Sequence, residues 1–155
     1  MRWLFFILIG FTAYKLLTGS DPGAGQVGQP LPAITAQYHA GSAPYVPGRP
    51  AIIEFWATWC PPCRQSIPHL NSLYERAGGS LQVVGITQED EATVHSFRLK
   101  TPMKYSVASD PSGSLAQYFG VRGIPTAVLV DAQGMVKWTG HPMELNEGKI
   151  KSLLP

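Results

Sequence analysis

Residues 51–63 read AIIEFWATWCPPC and decide the fold of this chain. The run is apolar on both faces apart from Glu54, which is typical of a central strand in a parallel sheet. It leads directly into Cys60 and Cys63, at the predicted start of a helix. These are the only two cysteines, and at this spacing they can reach each other. The pattern predicts a pair that exchanges electrons between dithiol and disulfide.

Hydrophobic periodicity predicts an α/β sandwich, with a central mixed sheet flanked by helices. Strands are predicted at 51–57, 81–87, 105–108, 126–130 and 135–138, with one or two short edge strands within 29–50. Helices are predicted at 61–77, 90–99, 112–119 and 145–154. The turn at 131–134 (DAQG) joins the last two strands as an antiparallel hairpin.

The charge balance gives no sign of a polyanionic partner. The formal net charge is +2, and it becomes smaller when the N-terminal stretch is set aside. Without the residues before Pro22, which include Arg2, Lys15 and Asp21, 10 basic and 9 acidic side chains remain. A domain this evenly charged lacks the basic surface that nucleic-acid binding requires. We therefore expect no nucleic-acid partner.

Metal and haem sites are not expected. A structural zinc site usually needs four ligands, whereas the histidines here are scattered along the chain. They are His39, His69, His95 and His141. His69 lies six positions past Cys63, on another face of the predicted helix. Because Arg64 follows Cys63, the pair is not a Cys-x-x-Cys-His haem attachment site. We predict no metal and no cofactor.

The N-terminal residues 3–17 are almost wholly apolar, follow a basic Arg2 and are interrupted by Lys15. A cleaved signal peptide would fit the short positive start, but no small-x-small cleavage site follows this segment. A transmembrane anchor calls for about 20 apolar residues, and Lys15 would have to reach the far interface. We favour an uncleaved signal anchor over residues 1–18, because the charge order and the missing cleavage site outweigh the shortness. A buried helix is disfavoured, since residues 3–11 have no polar face.

The anchor determines the predicted domain organisation and location. Residues 19–28 have the Gly-rich composition of a linker, and residues 29–155 form one domain. The positive-inside rule leaves that domain on the periplasmic or extracytoplasmic side of the inner membrane, held by a single span. The alternative is secretion to the periplasm after signal cleavage.

The predicted helix start explains how the cysteines would react. Cys60 occupies the expected N-cap, where unpaired amides and the positive end of the helix dipole stabilise a thiolate. Pro61 is well tolerated at the first helical position, since its missing N–H would be unpaired in any case. Pro62 removes a further amide donor, so we expect moderate acidification of Cys60. A purely structural disulfide is the alternative, but so short a loop would add little stability.

Cys63 is the predicted resolving thiol, which attacks a mixed disulfide and releases the product. That attack requires a base, and Glu54 is the candidate. It lies six residues before Cys60 on a strand that is apolar on both faces, so it points beneath the helix. A carboxyl buried there has a raised pKa and could carry a proton near neutral pH. The alternative for Glu54 is a solvated edge carboxylate.

Two motifs resemble those of the thioredoxin superfamily. Residues 55–63, FWATWCPPC, are similar to its active-site motif. Residues 120–126, GVRGIPT, are similar to its second motif, in which the Ile-Pro bond is cis. The resemblance implies a thioredoxin-like fold in which Ile124 and Pro125 lie against Cys60 and dock the substrate backbone like an added strand.

Further substrate contacts are expected around this pair. Gly140 matches the family's glycine in the substrate groove. Trp59, next to the nucleophile, is predicted to form an exposed apolar docking surface together with Pro61 and Pro62. Trp56 is predicted to lie in the core.

Within the superfamily the chain most resembles the membrane-tethered TlpA/ResA group. The likeness rests on the anchor, on VGQPLP at 27–32 and on the extra segment 88–104. It implies an extracytoplasmic disulfide reductase. Several members of the group serve cytochrome c maturation. A disulfide-containing protein would be the substrate, and a membrane thiol–disulfide transporter would be the electron donor. Two departures are Ser66, where the group often has an acid, and Glu54, where many members are neutral.

Our hypothesis from the sequence is therefore a membrane-anchored protein-disulfide reductase. A disulfide oxidase or isomerase remains an alternative, because the sequence does not give the reduction potential. A thiol peroxidase is disfavoured, since Ala57 stands where peroxiredoxins have threonine. A non-enzymatic alternative is a peptide-binding or chaperone module that uses the surface around Trp59.

Overall fold

A computed structural model describes residues 26–154 of the chain. The strands are β1 (Gln37–Tyr38), β2 (Ala51–Phe55), β3 (Gln82–Thr87), β4 (Ser106–Ser109), β5 (Thr126–Val130) and β6 (Val136–Gly140). The helices are α1 (Pro61–Arg76), α2 (Glu91–Arg98), α3 (Ser114–Tyr118) and α4 (Glu147–Leu153), with a 3-10 turn at Pro142–Glu144.

The strands form one mixed sheet in the order β1-β4-β3-β2-β5-β6. The central strands β2, β3 and β4 are parallel, whereas β1, β5 and β6 join their neighbours antiparallel. This confirms the predicted mixed sheet with a short edge strand and a C-terminal hairpin. Because β2 lies in the middle and is buried along its whole length, the loop that follows it leaves from the centre of the sheet.

Each face of the sheet has its own hydrophobic core, which follows from the alternation of side chains along β2. Ile52 and Trp56 face a cluster that includes Ile67, Leu70 and Leu145, beneath α1 and α4. The opposite face is covered by α3 and by the segment before β2. Its buried members are Ala51, Ile53, Phe55, Val84, Ile86, Ala108, Leu115, Phe119, Val128, Val130 and Val136. The domain therefore has three layers, with Glu54 on the face covered by α1.

The predicted elements all form, and their bounds differ by a residue or two for local reasons. The last helix begins at Glu147, because the Asn146 side chain accepts a hydrogen bond from the Lys149 amide and caps it there. The second hairpin strand continues to Gly140, whose register partner is Ala127. Gly140 is therefore the last residue of β6, two residues beyond the predicted end of this strand.

The N-terminal end of the described chain is attached to the sheet. The Gly28 amide donates to the Val136 carbonyl, and Pro30 forms an isolated bridge with Met135. The predicted linker thus meets the domain beside the start of β6. The predicted anchor, residues 1–18, lies outside the described residues. Among residues 26–154, no helix has the length and apolar character needed to cross a bilayer.

Candidate active site

Cys60 and Cys63 form a disulfide at the start of α1, just beyond the carboxyl end of β2. Cys60 is the N-cap residue, with extended backbone, and its Sγ accepts a hydrogen bond from the Cys63 amide at 3.3 Å. Pro61 and Pro62 have no amide hydrogen to add. The helix start thus directs one amide of its first turn at the sulfur, as the sequence predicted.

The two cysteines differ in their access to solvent. Cys63 is fully buried, whereas Cys60 keeps a small exposed fraction of 3%. Next to it Trp59 is 70% exposed, and Pro61 and Pro62 are exposed on the first turn of the helix. Both cysteines are therefore buried, and Cys60, the slightly less buried of the two, is bordered by exposed apolar side chains.

The Ile124-Pro125 segment lies against this disulfide, and its peptide bond is cis, as the resemblance implies. The carbonyl oxygen of Ile124 is 3.7 Å from Sγ of Cys60. Pro125 is buried directly before β5, while Gly123 is exposed. The structure therefore brings together the two segments that sequence reasoning assigned to the site, although they lie more than 60 positions apart.

Gly140 lines a shallow cleft of about 330 Å³ with Gly123 and Thr126. Gly123 and Thr126 flank Ile124 and Pro125 in the sequence, so the cleft lies beside that segment. A Cβ atom on Gly140 would lie 2.5 Å from the Trp138 ring, so the absence of a side chain lets the indole pack there. Gly140 is near the predicted docking segment, and the Trp138 contact is a structural reason for glycine at this position.

Glu54 is completely buried beneath the first turns of α1. Its Oε1 accepts a hydrogen bond from the Ser66 hydroxyl at 2.8 Å, and its Oε2 accepts one from the Tyr105 hydroxyl at 3.2 Å. Burial raises the pKa of Glu54 to about 7, while the bonds from Ser66 and Tyr105 act in the opposite direction. The solvated edge position considered from the sequence is wrong, because neighbouring strands cover β2 on both sides.

Sequence reasoning did not identify the hydroxyl partners of Glu54. Ser66 follows Cys63 by three positions on the same helix, so its place under the cysteines could have been read from helical spacing. Tyr105 carries no such signal, since it lies 51 residues after Glu54 and reaches it only through the fold. Burial and the neighbouring Glu54 raise the pKa of Tyr105 well above its usual value, so it remains a donor.

A second carboxylate, that of Glu89, fixes the loop before Cys60. It accepts the Thr58 amide at 2.7 Å with Oε2 and the Thr58 hydroxyl at 2.6 Å with Oε1. The Thr87 hydroxyl adds a third hydrogen bond at 3.2 Å. Glu89 belongs to the extra segment between β3 and β4, so this segment positions the approach to the cysteines. No pattern in the sequence predicted this contact.

His69, which the sequence analysis considered as a metal ligand, makes a structural contact instead. His69 contacts the Leu145 carbonyl oxygen through Nε2 at 2.7 Å and ties α1 to the C-terminal segment. Within residues 26–154, no group of three or more His, Cys, Asp or Glu side chains could hold a metal ion.

Comparison with known proteins agrees with this geometry. Residues 27–139 match the AhpC/TSA family. The thiol:disulfide interchange protein DsbE of Pasteurella multocida is 31% identical over 158 residues, which cover 93% of this chain and 84% of that protein. The thiol-disulfide oxidoreductase ResA of Bacillus thuringiensis is 27% identical over 155 residues, covering 95% and 89%.

A solved structure has the same fold. The MTB protein DsbF, in mixed oxidized and reduced forms, superposes with a TM-score of 0.66 at 27% identity. The match covers 79% of this chain and 98% of that one. Together with the ResA and DsbE relatives, it confirms the resemblance to the thioredoxin superfamily and its TlpA/ResA group.

Proposed function

We propose that this chain, which belongs to the AhpC/TSA family and is a protein thiol–disulfide oxidoreductase, works as a reductant of disulfides in extracytoplasmic proteins. The single observation that carries the proposal is the position of Cys60. Its sulfur caps α1, is linked to Cys63, and lies 3.7 Å from the Ile124 carbonyl oxygen, next to the exposed Trp59. A client disulfide can therefore meet the sulfur beside a backbone segment able to hold it.

The proposed reaction exchanges one disulfide for another. The Cys60 thiolate attacks a client sulfur, a mixed disulfide forms, and the other client sulfur leaves as a thiolate. The Cys63 thiolate then attacks Cys60 Sγ and releases the second client sulfur. The client gains two electrons, and the chain ends with the Cys60–Cys63 disulfide. The position of Cys60 between the exposed Trp59 and Pro61 supports this order of attack, since Cys63 is fully buried.

Glu54 is the proposed proton carrier for the second step. It accepts the proton that Cys63 must lose before it can attack, and it returns a proton when the disulfide is reduced again. A pKa near 7 supports this role, because such a group can both gain and lose a proton near neutral pH.

Docking of the client is assigned to the apolar surface around the disulfide. Trp59, Pro61 and Pro62 supply exposed apolar contacts. Ile124 and Pro125 present the backbone edge, and the Gly140 cleft, lined by the flanking Gly123 and Thr126, lies beside it. The non-enzymatic alternative, a peptide-binding or chaperone module, would use the same apolar surface. It would not need the cysteines.

The reducing direction and the location belong to the same proposal. With Pro61 and Pro62 at the helix start, one amide reaches Cys60 Sγ, which supports moderate stabilisation of the thiolate. A strong oxidant needs a much more stabilised dithiol form. An N-terminal anchor over residues 1–18 would hold the domain on the extracytoplasmic side of the cytoplasmic membrane. A membrane thiol–disulfide transporter would re-reduce it, and cytochrome c maturation would be one process served.

The reduction potential of the Cys60–Cys63 couple tests the direction. We expect a value near that of reducing thioredoxins, about −270 mV, and a value near −120 mV would show an oxidase instead.

The second measurement is client capture in cells. Cys63→Ser should accumulate mixed disulfides through Cys60, whereas the matched variant Cys60→Ser should not. If the double variant with both serines retains the function in cells, the protein is a binding module.

A further inference from the structure

The hydroxyl of Ser66 lies between two acceptors. Its Oγ is 2.8 Å from Oε1 of Glu54 and 2.8 Å from the carbonyl oxygen of Cys63. A serine hydroxyl has one proton to donate, so it cannot donate to both oxygens at once. Which acceptor receives the proton depends on whether the carboxyl group of Glu54 is protonated.

Two arrangements give every hydroxyl and acid proton an acceptor. When Glu54 is neutral, its acid proton is donated from Oε1 to Ser66 Oγ, and Ser66 donates to the Cys63 carbonyl. When Glu54 is ionised, Ser66 donates to Oε1, and the Cys63 carbonyl loses that donor. In both arrangements Tyr105 donates to Oε2 of Glu54. The change requires only rotation of the Ser66 hydroxyl and the loss or gain of one proton by Glu54.

We propose that Ser66 is a positioning residue whose hydroxyl proton moves between the Cys63 carbonyl and the Glu54 carboxylate as Glu54 gains and loses its proton. The inference deepens the proposed function and rests on Glu54 as proton carrier. Each proton transfer to or from Glu54 then changes a hydrogen bond at the backbone of Cys63. When Glu54 takes a proton from the resolving thiol, the backbone of that same residue gains a hydrogen bond.

The surroundings of Glu54 leave Ser66 as the link to the cysteines. From α1 and its N-cap, Cys63 and Cys60 belong to the cluster on this side of the sheet, and Tyr74 of α1 packs against it. From the segment before β4 comes Tyr105, with Arg98 of α2 acting on it electrostatically. On the adjacent strands, the register partners of Glu54 are Gly85 and Ala127, which have no ionisable side chain. Among residues 26–154, no cation forms an ion pair with Glu54.

The oxidised protein provides the test, because neither cysteine can ionise while the disulfide is intact. The full chain, labelled with carbon-13 and held in detergent micelles, is titrated while two signals are recorded by NMR. These are the carboxyl carbon of Glu54 and the carbonyl carbon of Cys63. We expect both signals to change with one midpoint, near the Glu54 pKa of about 7.

Two variants separate the coupling from a general effect on Glu54. Ser66→Ala should raise the Glu54 midpoint by about one pH unit and abolish the change at the Cys63 carbonyl. Tyr105→Phe should also raise the midpoint, since it removes the other hydroxyl donor. In that variant the Cys63 carbonyl should still follow Glu54, because the Tyr105 hydroxyl donates to Oε2 of Glu54 and the Ser66 link is intact.

The possible outcomes are distinct. The proposal is wrong if Glu54 titrates while the Cys63 carbonyl does not respond, or if the carbonyl still responds in Ser66→Ala. If Ser66→Ala does not fold, Tyr105→Phe decides alone: the carbonyl must follow the shifted midpoint, and a response that stays at the original midpoint overturns the proposal. If Glu54 does not titrate at all in the range from about pH 5 to 9, its role as proton carrier fails, and the inference fails with it.

Discussion

Glu54 and Gly85 lie directly opposite each other on the parallel strands β2 and β3. Because Gly85 has no side chain, the space beside Glu54 is taken by Trp56 and Tyr105. The buried carboxyl accepts hydrogen bonds from the hydroxyls of Ser66 and Tyr105, and burial raises its pKa to about 7. The glycine thus leaves room for Trp56 and for Tyr105, whose hydroxyl donates to Glu54.

Substitution of Gly85 should destabilise the domain through overpacking. A Cβ atom at this position would lie 2.8 Å from Nε1 of Trp56 and 3.4 Å from the Tyr105 ring. We expect Gly85→Ala to reduce the free energy of unfolding by about 1–3 kcal/mol, measured by denaturant titration of the oxidised protein. Gly123→Ala is the matched control, since nothing lies within 4 Å of its added Cβ. Equal stability of the two variants would contradict the packing argument.

Glu54 should make the oxidised protein less stable as the pH rises. Its pKa is about 7 in the fold and near 4.5 when unfolded, so the native state binds the extra proton between these values. The contribution to stability is present below about pH 4.5 and is lost as the pH rises through 7, with a total of about 3 kcal/mol. Glu54→Gln lacks this dependence.

The measurement is the difference in unfolding free energy between the wild type and Glu54→Gln across that pH range. The subtraction removes contributions from other groups. A difference that stays constant with pH would show that the pKa of Glu54 is not raised by burial.

Loss of the Glu89 carboxylate should loosen the loop before Cys60. Glu89→Ala leaves the Thr58 amide and hydroxyl without their acceptor, at a cost of about 1–3 kcal/mol. Hydrogen exchange of the Thr58 amide should become faster. Glu147→Ala is the control, because its ion pair with Arg76 is exposed and worth at most about 1 kcal/mol. If the Thr58 amide exchanges at the same rate in Glu89→Ala and Glu147→Ala, Glu89 does not hold the loop.

Trp59 should affect protein clients more than small disulfides. It is 70% exposed, so Trp59→Ala should leave stability within about 0.5 kcal/mol of the wild type. We expect slower reduction of a protein disulfide and an unchanged rate with a small aromatic disulfide. Leu99→Ala, which removes a side chain that is 73% exposed on another part of the surface, should change neither rate. A parallel loss with both substrates would instead indicate a direct effect on Cys60.

Local sequence patterns were sufficient to predict the fold and the redox pair. The period of apolar residues placed nearly every strand and helix to within a residue or two, because that period reflects which face of each element is buried. The spacing of Cys60 and Cys63 and the prolines between them predicted the capped helix start. The position of Glu54 within an apolar strand predicted its burial, which the structure confirms.

The partners of these groups were decided by the tertiary structure. Ser66, Tyr105 and Glu89 carry the hydrogen bonds that fix Glu54 and the loop before Cys60, yet none was singled out from the sequence as a partner. Tyr105 and Glu89 act across separations of 51 and 31 residues, so their contacts depend on strand register and on how α1 packs on the sheet. A one-dimensional pattern records which side chains are buried, whereas the three-dimensional packing determines which of them meet.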